Sequence, residues 1–115
     1  FELGTRDAYD ASMQASCAGH AAFITGAGRG IGAAIARRLA GEGAFVVLGA
    51  RSLGDCEALA AELRAGGGRA AAVAIDVGSP DSVRAAVARA VELVAREQGQ
   101  ALDWLINNAG IAQSA

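Results

Sequence analysis

An α/β fold, with a parallel sheet covered by helices on both faces, is predicted by three features of this sequence. Short apolar runs alternate with longer stretches whose apolar residues recur at helical spacing. The short runs are continuously apolar, as strands buried on both faces are, where a half-solvated strand would alternate. Turn or cap chemistry stands at each changeover, so the chain reads as four strands joined by three helical crossovers.

The first strand is AAFIT, Ala21 to Thr25, too short for a helix and ended by Gly26. GIGAAIARRLAGEG follows as a helix, with Ile31, Ala34, Ile35 and Leu39 on the stripe expected to face the sheet. Arg37 and Arg38 fall near its C-terminal end, where the macrodipole favours cations, and Gly41 or Gly43 can end it. AFVVLGA is the second strand. In LGDCEALAAELRAGGG the residues Leu53, Cys56, Leu59, Ala60 and Leu63 share helical spacing, and the triple glycine stops the helix. Ser52 with Asp55 three residues later predicts a reciprocal capping box at its start.

RAAAVAIDV is the third strand. The next helix has the clearest start in the chain: Ser79 as N-cap, Pro80 at the first helical position and Asp81 in the first turn. Val83, Val87, Val91 and Val94 mark its expected inner face, and it ends near Gln98 and Gly99. LDWLINNAG supplies the fourth strand and the turn beyond it.

Composition narrows the function. The formal net charge is -2 and the pI about 5.3, so no basic footprint invites nucleic acid or anionic lipid. The longest apolar run, Ala70 to Ile75, is too short to span a bilayer, and no membrane partner is expected. Cys17 and Cys56 stand apart, with no paired-cysteine motif or histidine cluster, so they read as buried free thiols of a reducing cytoplasm and no metal site is expected. FELGTRDAYDASMQASCAGH lacks the basic start and apolar core of a secretory signal, and its Glu2, Asp7 and Asp10 argue against a transit peptide. Residues 1–20 are expected to be a mobile lead-in, with Met13 an open alternative start and His20 an ordinary residue before the first strand.

The glycine-rich turn carries the chemistry. A lone glycine pattern is weak evidence, but here a strand precedes it, a helix follows, and a second strand completes one βαβ unit. Backbone N–H groups at a helix start point outward, the dipole favours an anion, and absent side chains let a pyrophosphate approach. The expected architecture is therefore a Rossmann-type doubly wound parallel sheet binding a dinucleotide.

TGAGRGIG, Thr25 to Gly32, resembles the T-G-x-x-x-G-[IL]-G signature of the short-chain dehydrogenase/reductase family, with Gly26, Gly30 and Gly32 at the spaced positions and Gly28, Arg29 and Ile31 between them. The looser dinucleotide spacing also fits at Gly28, Gly30 and Ala33. Two further motifs strengthen the resemblance. Asp76–Val77 follows the third strand, where the family contacts the adenine ring, and NNAG, Asn107, Asn108, Ala109 and Gly110, ends the fourth, where the family braces the sheet and contacts the cofactor. Right-handed crossovers and the resemblance together imply strand order 3-2-1-4, with FIT beside WLIN. They also imply that residues 21–115 are the N-terminal part of an NAD(P)-binding domain, cut before the catalytic segment and so incomplete. The complete protein would act on a small carbonyl or alcohol substrate and form a homo-oligomer.

Charge speaks to the choice of cofactor. A carboxylate at the end of the second strand would hold the ribose hydroxyls of NAD, but Ala50 stands there and Arg51 follows. Arg29 lies inside the glycine loop, where NADP-preferring members of the family also carry a basic residue. Two guanidiniums suit a 2′-phosphate, and a hydrogen bond to a charged group contributes about 1.5–3 kcal/mol. NADP(H) is expected over NAD(H).

The resemblance implies that chemistry uses a tyrosine with a lysine four residues later, a serine and a further asparagine. The only tyrosine here is Tyr9, the sequence contains no lysine, and Ser114 sits too early to be that serine, so no catalytic residue is named. A catalytically dead NADP-binding module, a shortened isoform and an incomplete gene product stay open beside the cofactor-binding half of an enzyme.

Overall fold

The computed structural model of the chain describes residues 16–108. Seven elements follow one another: β1 (Ala21–Thr25), α1 (Gly30–Gly41), β2 (Phe45–Ala50), α2 (Leu53–Ala65), β3 (Arg69–Ala74), α3 (Pro80–Gln98) and β4 (Trp104–Asn107). All strand pairs are parallel, and the order across the sheet is β3-β2-β1-β4. The expected order is observed, with Ala22 opposite Trp104 and Thr25 opposite Asn107.

Successive strand residues point to opposite faces, and each face has its own cover. Ala22, Ile24, Val46, Leu48 and Ala70 pack under α1 and α2, against Ala33, Ala36, Ala40, Cys56, Leu59 and Ala60. Ala21, Phe23, Phe45, Val47, Val73 and Ile75 pack under α3, against Ala86, Ala90 and Val94. Phe23, Ile24, Val46, Val47 and Leu48 are fully buried, and each such side chain contributes about 1.5–3 kcal/mol relative to exposure. The two outer strands are less covered. Leu105, opposite Phe23 on the α3 side, is 62% exposed.

Helix faces depart from the expected stripes. In α1 the inner face is Gly32, Ala33, Ala36 and Ala40, whereas Ile31 and Ala34 are exposed and Ile35 and Leu39 only half-buried. In α3 the buried residues are Ala86, Ala90 and Val94, and Val91 faces solvent with Val83 and Val87 at the margin. Small side chains let both helices lie close on the sheet, so volume, and not hydrophobicity alone, selects the inner face. In α2, Cys56, Leu59 and Ala60 are buried as expected, but Leu53 is exposed and Leu63 half-buried.

Cap chemistry agrees at one helix and fails at another. Ser79 Oγ accepts from the Ser82 N–H at 3.2 Å, Pro80 opens α3, and Gly99 closes it in the left-handed conformation. At α2 the expected capping box is absent: Ser52 makes no side-chain cap hydrogen bond.

Within the lead-in, residues 1–15 lie outside the described part of the chain, while residues 16–20 are anchored. The Cys17 N–H donates to the Glu42 carbonyl at 2.9 Å, and His20 Nδ1 lies 2.5 Å from Asp103 Oδ2. The His20 ring stacks on Trp104 with centroids 4.4 Å apart. The Ala21 N–H donates to Asp103 Oδ1 at 2.7 Å, so the starts of β1 and β4 are clasped together.

Candidate functional site

A parallel sheet brings the carboxyl ends of all its strands to one edge. There the β1–α1 turn, Ala50–Arg51 at the end of β2, Asp76–Val77 after β3 and Asn107–Asn108 at the end of β4 come together.

The turn is fixed from three sides. The Ala27 N–H donates to the Gly49 carbonyl at 3.1 Å, tying it to β2. Asn108 Nδ2 donates to the Gly26 carbonyl at 3.2 Å, and the Asn108 N–H donates to Thr25 Oγ1 at 3.0 Å. The Thr25 hydroxyl lies 3.1 Å from Asn107 Oδ1, within reach to donate. Thr25 and Asn108 are both buried, so these polar groups hold one another away from water. Asn107 and Asn108 thus brace the turn. Gly110 lies outside the described residues.

Two glycines of the turn are needed for different reasons. A methyl on Gly32 would lie 2.1 Å from the Gly26 oxygen and 2.8 Å from Asn108 Nδ2, so the helix can begin this close to β1 only without a side chain. Gly30 has φ +63°, and a methyl there would meet nothing within 4 Å. Its outer side is open. The first turn of α1 holds no acidic residue, and its N-cap, Arg29, is extended and makes no side-chain cap hydrogen bond. The N–H groups that begin this helix therefore face an open, uncapped surface with the positive end of the dipole behind them.

Arg29 and Arg51 are exposed, and neither guanidinium has a hydrogen-bond or ion-pair partner among the described residues. Ile31 is 64% exposed beside the open turn. Asp76 is partly engaged by its own loop: its Oδ1 accepts from the Gly78 N–H at 3.0 Å, and its N–H donates to Ser82 Oγ at 2.8 Å. Val77 packs against the layer under α3.

Sequence reasoning passed over two residues here. Thr25 was legible as the residue before the first glycine, yet its bond to Asn108 depends on a contact across 83 positions. Asp55 read as a helix cap, but it stands beside Gly28 instead: a methyl on Gly28 would lie 3.0 Å from Asp55 Cβ. Cys56, next to it, is buried, and burial followed by the charge of Asp55 pushes its thiol up to about 11. That thiol is inert at neutral pH.

Sheet order and glycine turn together define a Rossmann-type α/β domain. The short chain dehydrogenase family model matches residues 20–115, and the chain belongs to that family. It is 49% identical over 90 residues to the short-chain reductase protein NovJ of Streptomyces niveus, covering 78% of this chain and 32% of that one. It is 41% identical over 98 residues to the 3-oxoacyl-[acyl-carrier-protein] reductase FabG of Pseudomonas aeruginosa, covering 85% of this chain and 38% of that one. Among solved structures, a dehydrogenase/reductase from Sinorhizobium meliloti superposes with a TM-score of 0.73 at 40% identity, over 84% of this chain and 38% of that one. The chain thus spans about a third of the length of these relatives. No helix among the described residues is long and apolar enough to cross a membrane.

Proposed function

We propose that this chain is the nicotinamide-dinucleotide-binding part of a short-chain oxidoreductase that prefers NADP(H). The observation that carries the reading is the start of α1: an uncapped helix N-terminus, free of acids, under a glycine whose outer side is open. That surface suits a pyrophosphate in charge and in shape. The nicotinamide ring supplies hydride transfer when the cofactor is bound, and the residues of this chain bind and orient its other end.

In this reading Gly26, Gly28, Gly30, Ile31 and Gly32 form the pyrophosphate cradle. Asn107 and Asn108 keep it rigid, and Gly110, which lies outside the described residues, is assigned to the cofactor with them on the sequence motif alone. Asp76 and Val77 flank the adenine, while Arg29 and Arg51 take the 2′-phosphate. Support for the last assignment is that both arginines are exposed, with no hydrogen-bond or ion-pair partner among the described residues, and that Ala50 offers no carboxylate. The whole protein would interconvert a small carbonyl compound and its alcohol, as a cytoplasmic homo-oligomer. This chain alone would bind without turnover, because its sequence contains no lysine to pair with a tyrosine.

Titration of the chain with NADPH and with NADH, followed by nicotinamide fluorescence, tests the reading. Tighter binding of NADPH, by about tenfold or more, is expected from one or two charge-assisted contacts. Tighter binding of NADH would overturn the NADP assignment, and binding of neither would overturn the cradle itself.

A further inference from the structure

The end of β2 is where a carboxylate would read the adenosine ribose, and this chain has Ala50 there. The structure brings a carboxylate from another element beside the glycine turn that Ala50 also borders. Asp55, in the first turn of α2, is positioned so that a methyl on Gly28 would lie 3.0 Å from its Cβ, 3.8 Å from its Oδ2 and 3.9 Å from Ala50 Cβ. Ala50 and Asp55 therefore both border Gly28. Arg29 follows Gly28 and Arg51 follows Ala50, so Asp55 stands where the two arginine-bearing segments converge.

Asp55 is not occupied in the way the sequence predicts. The reciprocal cap with Ser52 is not made. The residue is exposed, and its carboxylate has no hydrogen-bond or ion-pair partner among the described residues. A carboxylate only accepts hydrogen bonds, so it can take them from ribose hydroxyls, whereas it repels a 2′-phosphate carrying close to two negative charges.

We propose that Asp55 is a specificity-determining residue at the adenosine end of the cofactor, opposing the 2′-phosphate that Arg29 and Arg51 attract and holding the 2′-hydroxyl of the unphosphorylated ribose. This rests on the reading that the cofactor's adenosine end lies at the glycine turn. The consequence is that the chain discriminates between NADP and NAD less sharply than its arginines alone would make it. One rim serves both cofactors, with the acid on α2 narrowing the gap.

The test uses binding, not turnover. Adenosine 2′,5′-bisphosphate and 5′-AMP differ only in the 2′-phosphate, and calorimetry gives a Kd for each. In Asp55→Asn the affinity ratio is expected to move about three- to tenfold toward the bisphosphate, the scale of one like-charge contact near a protein surface. Asp55→Glu, which keeps the charge, is expected to hold the original ratio within about twofold. An unchanged ratio in Asp55→Asn, or a shift toward 5′-AMP, would overturn the proposal. The ratio of the unaltered chain separately tests the preference for NADP. A chain that favours 5′-AMP and still shifts toward the bisphosphate in Asp55→Asn would refute that preference while sustaining the role of Asp55.

Discussion

The helices α1 and α3 both leave the carboxyl edge of the sheet, yet their first turns are built in opposite ways. At α3, Ser79 accepts from the Ser82 N–H, Pro80 removes a donor, Asp81 meets the dipole, and Ser82 in turn binds the Asp76 N–H. At α1 an extended arginine takes the cap position, no side chain caps the turn, no acid stands in it, and glycines occupy Gly30 and Gly32. Every helix start leaves backbone donors without intrahelical partners. The sequence around α3 satisfies such donors from within, while α1 leaves its own without a side-chain cap, which is what the proposed pyrophosphate site requires. α2 lies between these cases, with an acid in its first turn that stands beside the neighbouring glycine loop.

The sharpest way to break this contrast is to fill the two glycine positions of α1 separately. Gly32→Ala would push a methyl to 2.1 Å from a backbone oxygen, which cannot rotate away as a side chain could. A stability loss of about 3 kcal/mol or more is expected, at the upper end for overpacking, and a urea melt would read it. Gly30→Val meets no such clash but must hold a branched residue at φ +63°, at a cost of about 1–2 kcal/mol. Its main effect falls on the open surface, where NADPH affinity should drop by about tenfold or more in a fluorescence titration. A Gly30→Val chain that folds and binds normally would return this turn to a purely structural role.

Ser79→Ala is the converse experiment on α3. Loss of the cap is expected to cost about 1 kcal/mol, which for a domain of this size lowers Tm by roughly 4–8 °C. Nucleotide affinity should not change, because the donors affected were already satisfied within the chain. A fall in NADPH affinity without a fall in Tm would show that the two helix starts are not as different as their caps suggest.

What could be read in advance, and what could not, follows the same line. The third strand, expected through Val77, ends at Ala74. Strand order, the succession of elements, the α3 cap and the glycine turn all depend on residues close in sequence, or on the handedness of the connections. The inner faces of α1 and α3 did not, because alanine and valine compete for one surface. Close approach of helix to sheet settles that competition for Ala36, Ala86 and Ala90 over Ile31 and Val91. Asp55 was misread for a related reason. Ser-x-x-Asp is a local signal for a cap, and only the fold shows that Gly28 lies beside that acid. Thr25 and Asn108 meet solely because β1 and β4 are neighbours.

The smallest expected effect lies at the opposite edge, where the amino ends of β1 and β4 are closed by side chains, as α3 is. His20 bonds to the Asp103 carboxylate and, with the Ala21 N–H, holds its pKa below the usual carboxylate range. A carboxyl group depressed in the folded state adds stability that is fully present above its unfolded value, about 3.9 for aspartate. That stability is lost as pH falls through the lower folded value. Both side chains are more than a third exposed, so solvent screening keeps the contribution well under about 1 kcal/mol. Asp103→Asn should therefore lower Tm slightly at pH 6 and show a shallower fall in Tm between pH 6 and pH 3 than the unaltered chain. Nucleotide affinity should be untouched, since this clasp and the glycine turn lie at opposite ends of β1. Identical Tm profiles in the two chains would mean that the His20–Asp103 contact adds no pH-dependent stability. The join of β1 to β4 would then rest on the strand pairing and on the stacking of His20 on Trp104.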